Sequence, residues 1–266
     1  MTTKVEALFN NIWTQYLAVT PSAKSIHNLL GNGDDVINDH VAYRTFNIEK
    51  VNLQKLAKHL TDLGYTECGQ YDFEAKKLTA KHYEHPDETM PKVFISELRV
   101  EEFPENIQEI IHALVDQLPE DAASQADFLY SGKSWQVSSS DYETLLKESE
   151  YAAWLSAWGY RANHFTVSIN HLAGYNDIET VNSTLKAAGY ALNVSGGEIK
   201  GDESVKLEQS STLADKASVN FSDKAMEIPS CFYEFAKRYP LANGKLYTGF
   251  VAASADKIFE STNAAM

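Results

Sequence analysis

The chain carries one order of segments twice, and this internal repeat constrains its fold more than any single motif does. In each half, a short run of β-branched and aromatic residues precedes an amphipathic helical pattern that stops at a Gly-Tyr pair, at 64–65 and at 189–190. His40 lies 24 residues before the first of these glycines, and His164 lies 25 residues before the second. Each glycine suits the left-handed position just after a helix. Because both halves then close on a proline and an aromatic strand, the pattern predicts a βαβββ unit that occurs twice.

Two such units predict an α+β protein with a concave mixed sheet. The patterns place a strand at 39–46 and a helix at 52–63 in the first unit, and a strand at 163–170 and a helix at 176–188 in the second. We therefore expect a single domain over residues 1–266 with five parts: N-terminal helices (1–38), a first βαβββ module (39–102), a helical insertion (103–160), a second βαβββ module (161–240), and a C-terminal strand and helix (241–266).

Outside the two modules, the spacing of apolar residues, proline breaks and serine caps predict mainly helices. The expected elements are helices at 4–19, 21–30, 105–117 and from 138 to Trp158, a loop at 31–35, a strand at 247–254 and a helix at 255–262. The C-terminal strand and helix would cover one end of a site formed by the concave sheet.

Three strand-like runs each contain one side chain that can bind a metal. His40, His164 and Glu234 lie among β-branched and aromatic residues in the two halves. Residues two apart in a strand share a face, so the small side chains of Ala42 and Thr166 would leave room for a ligand beside the histidines. If these faces line one concave sheet, the three side chains converge. Two imidazoles and one carboxylate are the ligand set of a non-haem Fe(II) site with open coordination positions.

Arg44 shares the strand face of His40 and would lie about 6.5–7 Å further along it, from the rise of a strand. A guanidinium offers a two-pronged donor to a carboxylate, which suits the far end of a metal-bound acid. A chain of net charge −14 also needs a dedicated cation to hold an anionic substrate. Arg44 could instead be the counter-ion of Glu97 or Glu234. Glu97 is itself an additional candidate ligand, because it lies near the end of the first unit as Glu234 does in the second.

Each candidate ligand also has a structural interpretation. A lone histidine in a strand is more often structural than metal-bound, and Glu234 could pair with Lys237 or Arg238 instead. His82 and His85 form a His-x-x-His motif, but their polar, proline-containing surroundings indicate an exposed turn. Even a genuine His/His/Glu site could hold Zn²⁺, Ni²⁺ or Mn²⁺ and act as a glyoxalase-type hydrolase, lyase or isomerase. A non-catalytic module that binds a small molecule is the third alternative.

Composition argues against several classes of function. A net charge of −14 leaves no basic stripe to neutralise phosphates, so we expect no nucleic-acid partner. The first residues lack the apolar run of a signal peptide, and no later stretch is apolar enough to span a bilayer, so we expect no membrane partner. Cys68 and Cys231 are too few for a disulfide framework, which indicates a cytoplasmic protein. The sequence leaves the oligomeric state open.

At these residues the chain resembles the family of 2-oxoadipate dioxygenase/decarboxylase, also called 2-hydroxyglutarate synthase, over nearly its whole length. The family pattern is His-x-x-x-Arg on the first metal strand, Asn-His on the second and Glu on the last. Here it corresponds to His40 with Arg44, to Asn163-His164 and to Glu234. The run around Glu234 also resembles the carboxylate ligand strand of 4-hydroxyphenylpyruvate dioxygenase. Both resemblances point to the vicinal-oxygen-chelate, or glyoxalase-like, superfamily, in which paired βαβββ modules surround a metal.

The resemblance implies Fe(II) held by His40, His164 and Glu234, with Arg44 as the catalytic residue that binds substrate. It also implies that backbone near Val251 contacts the substrate. The expected partners are a small 2-oxo acid and O₂, and the expected reaction converts 2-oxoadipate to 2-hydroxyglutarate and CO₂, a step of lysine catabolism.

Overall fold

A mixed eight-stranded sheet forms the centre of the protein in the computed structural model, which describes residues 3–31 and 36–263. The strands are β1 (Asn38–Phe46), β2 (Thr66–Phe73), β3 (Leu78–Glu84), β4 (Lys92–Leu98), β5 (His164–Ser168), β6 (Lys200–Asp202), β7 (Leu207–Ser211), β8 (Lys216–Asn220), β9 (Ala225–Pro229) and β10 (Phe232–Arg238). The helices are α1 (Lys4–Leu17), α2 (Pro21–Gly31), α3 (Leu53–Thr61), α4 (Glu105–Asp116), α5 (Ser139–Glu148), α6 (Glu150–Trp158), α7 (Ile178–Ala187) and α8 (Ala252–Ile258). None of the described helices is long and apolar enough to cross a membrane.

The order of strands in the sheet confirms the predicted repeat. The order is β2-β3-β4-β1-β5-β10-β7-β6, so β6, β7, β10 and β5 repeat the arrangement of β2, β3, β4 and β1. Strands β1 and β4 pair in parallel, as β5 and β10 do, and the antiparallel pair of β1 with β5 joins the two modules. The second module also contains an unpredicted insertion, because β8 and β9 form a separate two-stranded sheet between β7 and β10. The expected α+β fold with two βαβββ modules is confirmed.

The crossover helices of the two modules begin and end by the same local devices. Asn52 caps α3 and Asp177 caps α7, each by accepting a hydrogen bond from a backbone N–H of the first turn. The chain leaves both helices at a glycine with positive φ, 97° at Gly64 and 90° at Gly189. A side chain at either position would be strained. The Gly-Tyr pairs of the sequence therefore mark equivalent turns that return the chain to the sheet.

The N-terminal helix α1 packs on the strands that carry two of the candidate ligands. Its Trp13 ring meets the Phe165 ring edge-on with 4.8 Å between centroids. The buried hydroxyl of Tyr16 donates to the backbone carbonyl of Phe232 at 2.5 Å. Because β5 and β10 are buried by this helix, their alternate side chains face the site on the other side of the sheet.

Two of the predicted elements outside the modules are wrong. The helix expected to continue through Trp158 is broken at Ser149, where the backbone is extended (φ −155°, ψ 107°). The Ser149 side chain accepts a hydrogen bond from the Ala152 N–H and so caps α6 as a new helix. The strand expected at 247–254 does not form, because the backbone carbonyls of Tyr247 and Gly249 accept hydrogen bonds from the Arg238 side chain. Most of the loop expected at 31–35 lies outside the described residues.

The continuous sheet predicts that both modules unfold together. Leu60 of α3 and Leu185 of α7 are both fully buried. We expect Leu60→Ala and Leu185→Ala each to lower the free energy of unfolding by about 2–5 kcal/mol. Each variant should shift one common transition in urea, followed by far-UV circular dichroism and by tryptophan fluorescence. Leu29→Ala, at a side chain that is 39% exposed, serves as the control. Two separate transitions, each moved by only one variant, would show that the modules are independent domains.

Candidate metal centre

The side chains of His40, His164 and Glu234 meet at the junction of the two modules. One ligand atom from each lies within 4.8 Å of the others, and all three residues are buried. The register of β1, β5 and β10 produces this arrangement, because Thr166 lies opposite His40 on one side and opposite Glu234 on the other. The predicted convergence of the three side chains is confirmed, and their role as metal ligands stays a prediction.

Both imidazoles direct Nε2 at the carboxylate of Glu234. His164 Nε2 lies 3.0 Å from one oxygen, Oε2, and His40 Nε2 lies 3.5 Å from the other, Oε1. The opposite ring nitrogens are held by oxygen acceptors. Asp39 Oδ1 lies 2.7 Å from Nδ1 of His40, and Asn163 Oδ1 lies 3.0 Å from Nδ1 of His164. Since both acceptors require a proton on Nδ1, a neutral ring carries no proton on Nε2 and presents a lone pair there, the form in which imidazole binds metals.

These lone pairs and the carboxylate fit a bound cation. Gln209 donates to Oε1 of Glu234 at 2.6 Å, but Oε2 has no hydrogen-bond donor among the described residues although it is fully buried. The Thr166 hydroxyl, 3.1 Å from His40 Nε2, is the nearest polar neighbour of that nitrogen. Burial lowers the pKa of His164 and so favours the neutral ring. A buried carboxylate oxygen without a donor is costly, and a metal ion between it and the two imidazoles would remove that cost.

A buried ion pair supports His40 from behind. Arg238 donates to both oxygens of Asp39, from Nε at 2.7 Å and from Nη2 at 2.9 Å. Burial opposes ionisation of Asp39, but the Arg238 guanidinium holds the pKa of its carboxyl well below the usual range. The alternative pairing of Glu234 with Arg238 or Lys237 is therefore wrong for Arg238, whose charge is engaged by Asp39.

Glu97 does not reach the centre. Its carboxylate accepts a hydrogen bond from the Leu53 N–H at the start of α3, at 2.8 Å. The strand pairing explains why. His40 lies opposite Lys92 in the first module and His164 lies opposite Phe232 in the second, so Lys92 and Phe232 occupy equivalent positions. By the same count, the position equivalent to Glu234 is Phe94, three residues before Glu97.

Arg44 is buried close to the centre but pairs with neither predicted carboxylate. Its Nη1 donates to both oxygens of Glu150, at 3.1 and 3.2 Å, and its Nη2 donates to Thr262 Oγ1 at 2.8 Å. The guanidinium lies over the rings of Tyr151 and Trp154, 4.9 and 5.0 Å from their centroids. Its Nε has no partner among the described residues, although it is buried. The role of Arg44 toward a substrate stays a prediction.

The cavity at the centre is small and partly walled by the C-terminal segment. Its volume is about 20 Å³, and its lining residues are His40, Phe94, His164, Gln209, Glu234, Phe250, Ala255, Ile258 and Phe259. The Phe250 ring stands at 90° to the His40 ring, with 4.7 Å between centroids. Val251, the predicted substrate contact, follows Phe250 as the N-cap of α8 and is not itself among the lining residues.

The sequence did not predict that Asp39, Asn163, Gln209 and Arg238 support the three candidate ligands, although Asn163 belongs to the Asn-His motif and Arg238 was considered as a partner of Glu234. Two of them left a signal in the sequence, since Asp39 directly precedes His40 and Asn163 directly precedes His164. Neighbours in a regular strand face opposite sides. By that rule Asp39 and Asn163 would point away from the histidines that follow them. The register between β1 and β5 shifts between residues 38 and 40, and Asn163 lies just before β5, so neither residue follows the rule.

Comparison with known proteins identifies the family. A model of the 2-oxoadipate dioxygenase/decarboxylase family matches residues 3–246. The chain belongs to this family. The 2-oxoadipate dioxygenase/decarboxylase of Arabidopsis thaliana, described as chloroplastic, is 35% identical over 283 aligned residues that cover 94% of this chain and 75% of the relative. Family membership makes the chain an enzyme of the oxidoreductase class.

Solved structures agree with this assignment. The hydroxyglutarate synthase of Oryza sativa, determined in complex with 2-oxoadipate, is 33% identical with a TM-score of 0.89, covering 97% of this chain and 92% of the other. A Shewanella frigidimarina protein provisionally described as a hydrolase is 62% identical with a TM-score of 0.92, covering 95% of this chain and 100% of the other. A Ralstonia eutropha protein provisionally described as a member of the glyoxalase superfamily is 22% identical with a TM-score of 0.77, covering 93% of this chain and 86% of the other, and shows a shared fold alone. Because the plant relative is chloroplastic, the predicted cytoplasmic location is not confirmed.

Loss of the acceptor behind one histidine should weaken metal binding without removing a ligand. Asn163→Ala leaves Nδ1 of His164 without its acceptor, so we expect the affinity for divalent metal to fall about 10–100-fold. Competition of the apoprotein with a chromophoric chelator measures this affinity. Asn52→Ala removes the same side chain from the cap of α3 and should lower stability while leaving the affinity unchanged. Equal affinities in wild type and Asn163→Ala would contradict the proposed orientation of His164.

Proposed function

We propose that this chain is an Fe(II)-dependent 2-oxoadipate dioxygenase/decarboxylase in which His40, His164 and Glu234 hold the iron. The observation that carries the proposal is the buried trio itself: the Nε2 atoms of both histidines point at the Glu234 carboxylate, whose Oε2 has no hydrogen-bond donor among the described residues. Family membership supplies the reaction, since relatives of more than 30% identity carry this name.

Iron suits the reaction better than zinc does. Two histidines and one carboxylate leave positions open for other ligands, and bound Fe(II) would supply chelation of the 2-oxo acid and activation of O₂. Zinc has no redox chemistry and could not serve an oxygenase. The atoms balance without a further reductant, because 2-oxoadipate and O₂ together contain the atoms of 2-hydroxyglutarate and CO₂.

The protein would orient the two histidine rings, exclude water from the reacting atoms and supply a positive charge for the substrate. Asp39 and Asn163 fix the two rings, and the apolar walls of Phe94 and Phe250 exclude water from the reacting atoms. Arg44 would bind the distal carboxylate of the substrate. Its buried Nε has no partner within residues 3–31 and 36–263, and an anion that binds there would satisfy this donor.

The substrate requires more room than the central cavity offers. A cavity of about 20 Å³ holds little more than one water molecule. Phe259 lines this cavity and also an outer one of about 220 Å³, whose wall includes Glu150. The centroid of the Phe259 ring lies 5.8 Å from the Arg44 guanidinium. We infer that Phe259 moves when the substrate enters, which would join the two cavities and expose the guanidinium of Arg44 to the acid.

Metal analysis and oxygen uptake together test the proposed function. Protein purified without a histidine tag should contain iron, and on 2-oxoadipate the Fe(II) form should consume O₂ and release equal amounts of 2-hydroxyglutarate and CO₂. The apoprotein reloaded with Zn²⁺ is the control and should consume no O₂. Turnover of any substrate by the zinc form, with no O₂ uptake by the iron form, would favour a hydrolase, lyase or isomerase instead.

Arg44→Lys separates substrate binding from metal binding. Lysine keeps the charge but loses the planar donor fork. We expect kcat/KM for 2-oxoadipate to fall roughly 10–100-fold, the equivalent of about 1.5–3 kcal/mol for one charge-assisted hydrogen bond, with metal content unchanged. Arg99→Lys is the matched control, because Arg99 pairs with Asp72 and Glu102 at the far end of β4. Wild-type kinetics for Arg44→Lys would make Arg44 a structural counter-ion of Glu150.

A further inference from the structure

Residues 247–250, here called the wall, belong to no helix or strand and place Phe250 in the lining of the candidate metal centre. The Phe250 ring packs on His40 and lines the cavity, and the next residue is the predicted substrate contact, Val251. A segment without a strand partner needs other bonds to hold its backbone. Two separate groups of side chains provide these bonds.

The first group joins the wall to the metal centre. Nη1 of Arg238 donates to the backbone carbonyls of Tyr247 at 3.0 Å and Gly249 at 2.7 Å. The same guanidinium is paired with Asp39, the acceptor behind His40. The carbonyls that a strand would use for its ladder are therefore bound to an arginine.

The second group joins the wall to the outer strands β2 and β3. The Phe250 N–H donates to the hydroxyl of Tyr71 at 3.0 Å. That hydroxyl lies 2.9 Å from Nδ1 of His82, and Nε2 of His82 lies 2.9 Å from Oε1 of Glu84. The chain of bonds thus leads from the wall at Phe250 through Tyr71 and His82 to Glu84.

Each hydrogen in this chain has one consistent position. Burial raises the pKa of Tyr71, so its hydroxyl keeps its proton and donates it to Nδ1 of His82. Nε2 of His82 then donates to Glu84. Partial burial opposes ionisation of Glu84, but the neighbouring His82 and Thr248 side chains outweigh it and lower the pKa of its carboxyl. The Tyr71 hydroxyl and both ring nitrogens of His82 therefore each have a partner, and a chain of paired groups is a rigid support.

His82 is not in the exposed turn that the sequence indicated. It lies in β3 and is only 2% exposed, because the Phe250 and Tyr71 rings pack beside it. Cys68, His82 and Glu84 are close enough to hold a metal ion. However, Cys68 is exposed and both ring nitrogens of His82 already have partners, so the arrangement supports a positioning role.

We propose that Tyr71 and His82 are positioning residues for the reaction, and that they act through the Phe250 N–H to hold the wall against the metal centre. Neither residue lines the cavity. Their effect on catalysis would come from the placement of the Phe250 ring and of the Val251 backbone. This kinetic consequence rests on the proposed function, whereas the effect on the wall itself does not.

Tyr71→Phe tests the proposal because it removes only the hydroxyl. Hydrogen exchange of the peptide that contains residues 247–251, followed by mass spectrometry, should become roughly 3–10-fold faster, as expected for the loss of one hydrogen bond. With the iron form and 2-oxoadipate, KM should rise more than kcat falls, and metal content should not change. Tyr65→Phe is the matched control, because the Tyr65 hydroxyl donates to the Pro91 carbonyl at a comparable 2.9 Å, away from the wall.

A pair of substitutions at His82 provides the second measurement. Glutamine can accept from Tyr71 and donate to Glu84, so His82→Gln should retain exchange rates and KM near those of wild type, whereas His82→Phe should reproduce Tyr71→Phe. Unchanged exchange at 247–251 in both Tyr71→Phe and His82→Phe would overturn the proposal. If wild type fails to oxidise 2-oxoadipate, the proposed function fails, and the exchange rates still decide whether these residues hold the wall.

Discussion

The antiparallel pairing of β1 with β5 is the constraint on which the whole centre depends. In that register His40 and Glu234 both lie beside Thr166, and His164 lies opposite Ala42. A slip of one residue would turn every side chain of a strand to the other face of the sheet. The first module contributes one histidine, and the second contributes the other histidine and the glutamate. Neither module could assemble the trio alone, so folding of the two halves into one sheet and formation of the site are the same event.

The buried charges near the pairing of β1 with β5 have a desolvation cost that a contribution to stability alone does not explain. Asp39, Arg238 and Glu234 are all nearly inaccessible to solvent, and removal of ions from water is often as costly as their pairing is favourable. Arg238 offsets its burial with four hydrogen bonds, two to Asp39 and two to the carbonyls of 247 and 249. One side chain therefore connects the orientation of His40 with the position of the wall, which is a reason to retain a costly ion pair near the candidate metal centre.

Local patterns made the fold and the three converging side chains predictable, and non-local bonds account for three of the features that were missed. The alternation of side chains along a strand and the glycine after a helix are local features of a sequence, and both modules contain them. The support from Asp39 depends on an irregular register at the start of β1, which no alternation rule anticipates. The absence of a strand at 247–254 depends on Arg238, and the burial of His82 depends on Phe250, which lies in a distant part of the chain. In each case a tertiary contact overrode a local indication.

The two modules are equivalent in strand order but not at the position that decides the chemistry. The ladder places Phe94 of the first module where the second has Glu234, just as His40 corresponds to His164. A fully symmetric site would surround the metal with four protein ligands, whereas the proposed centre has three. Phe94 lines the cavity and packs against Phe250 with 5.0 Å between ring centroids. The side of the candidate centre without a protein ligand in the described part of the chain is thus apolar and adjoins the wall. Under the proposed function, a 2-oxo acid and O₂ would reach the metal from that side while water is excluded.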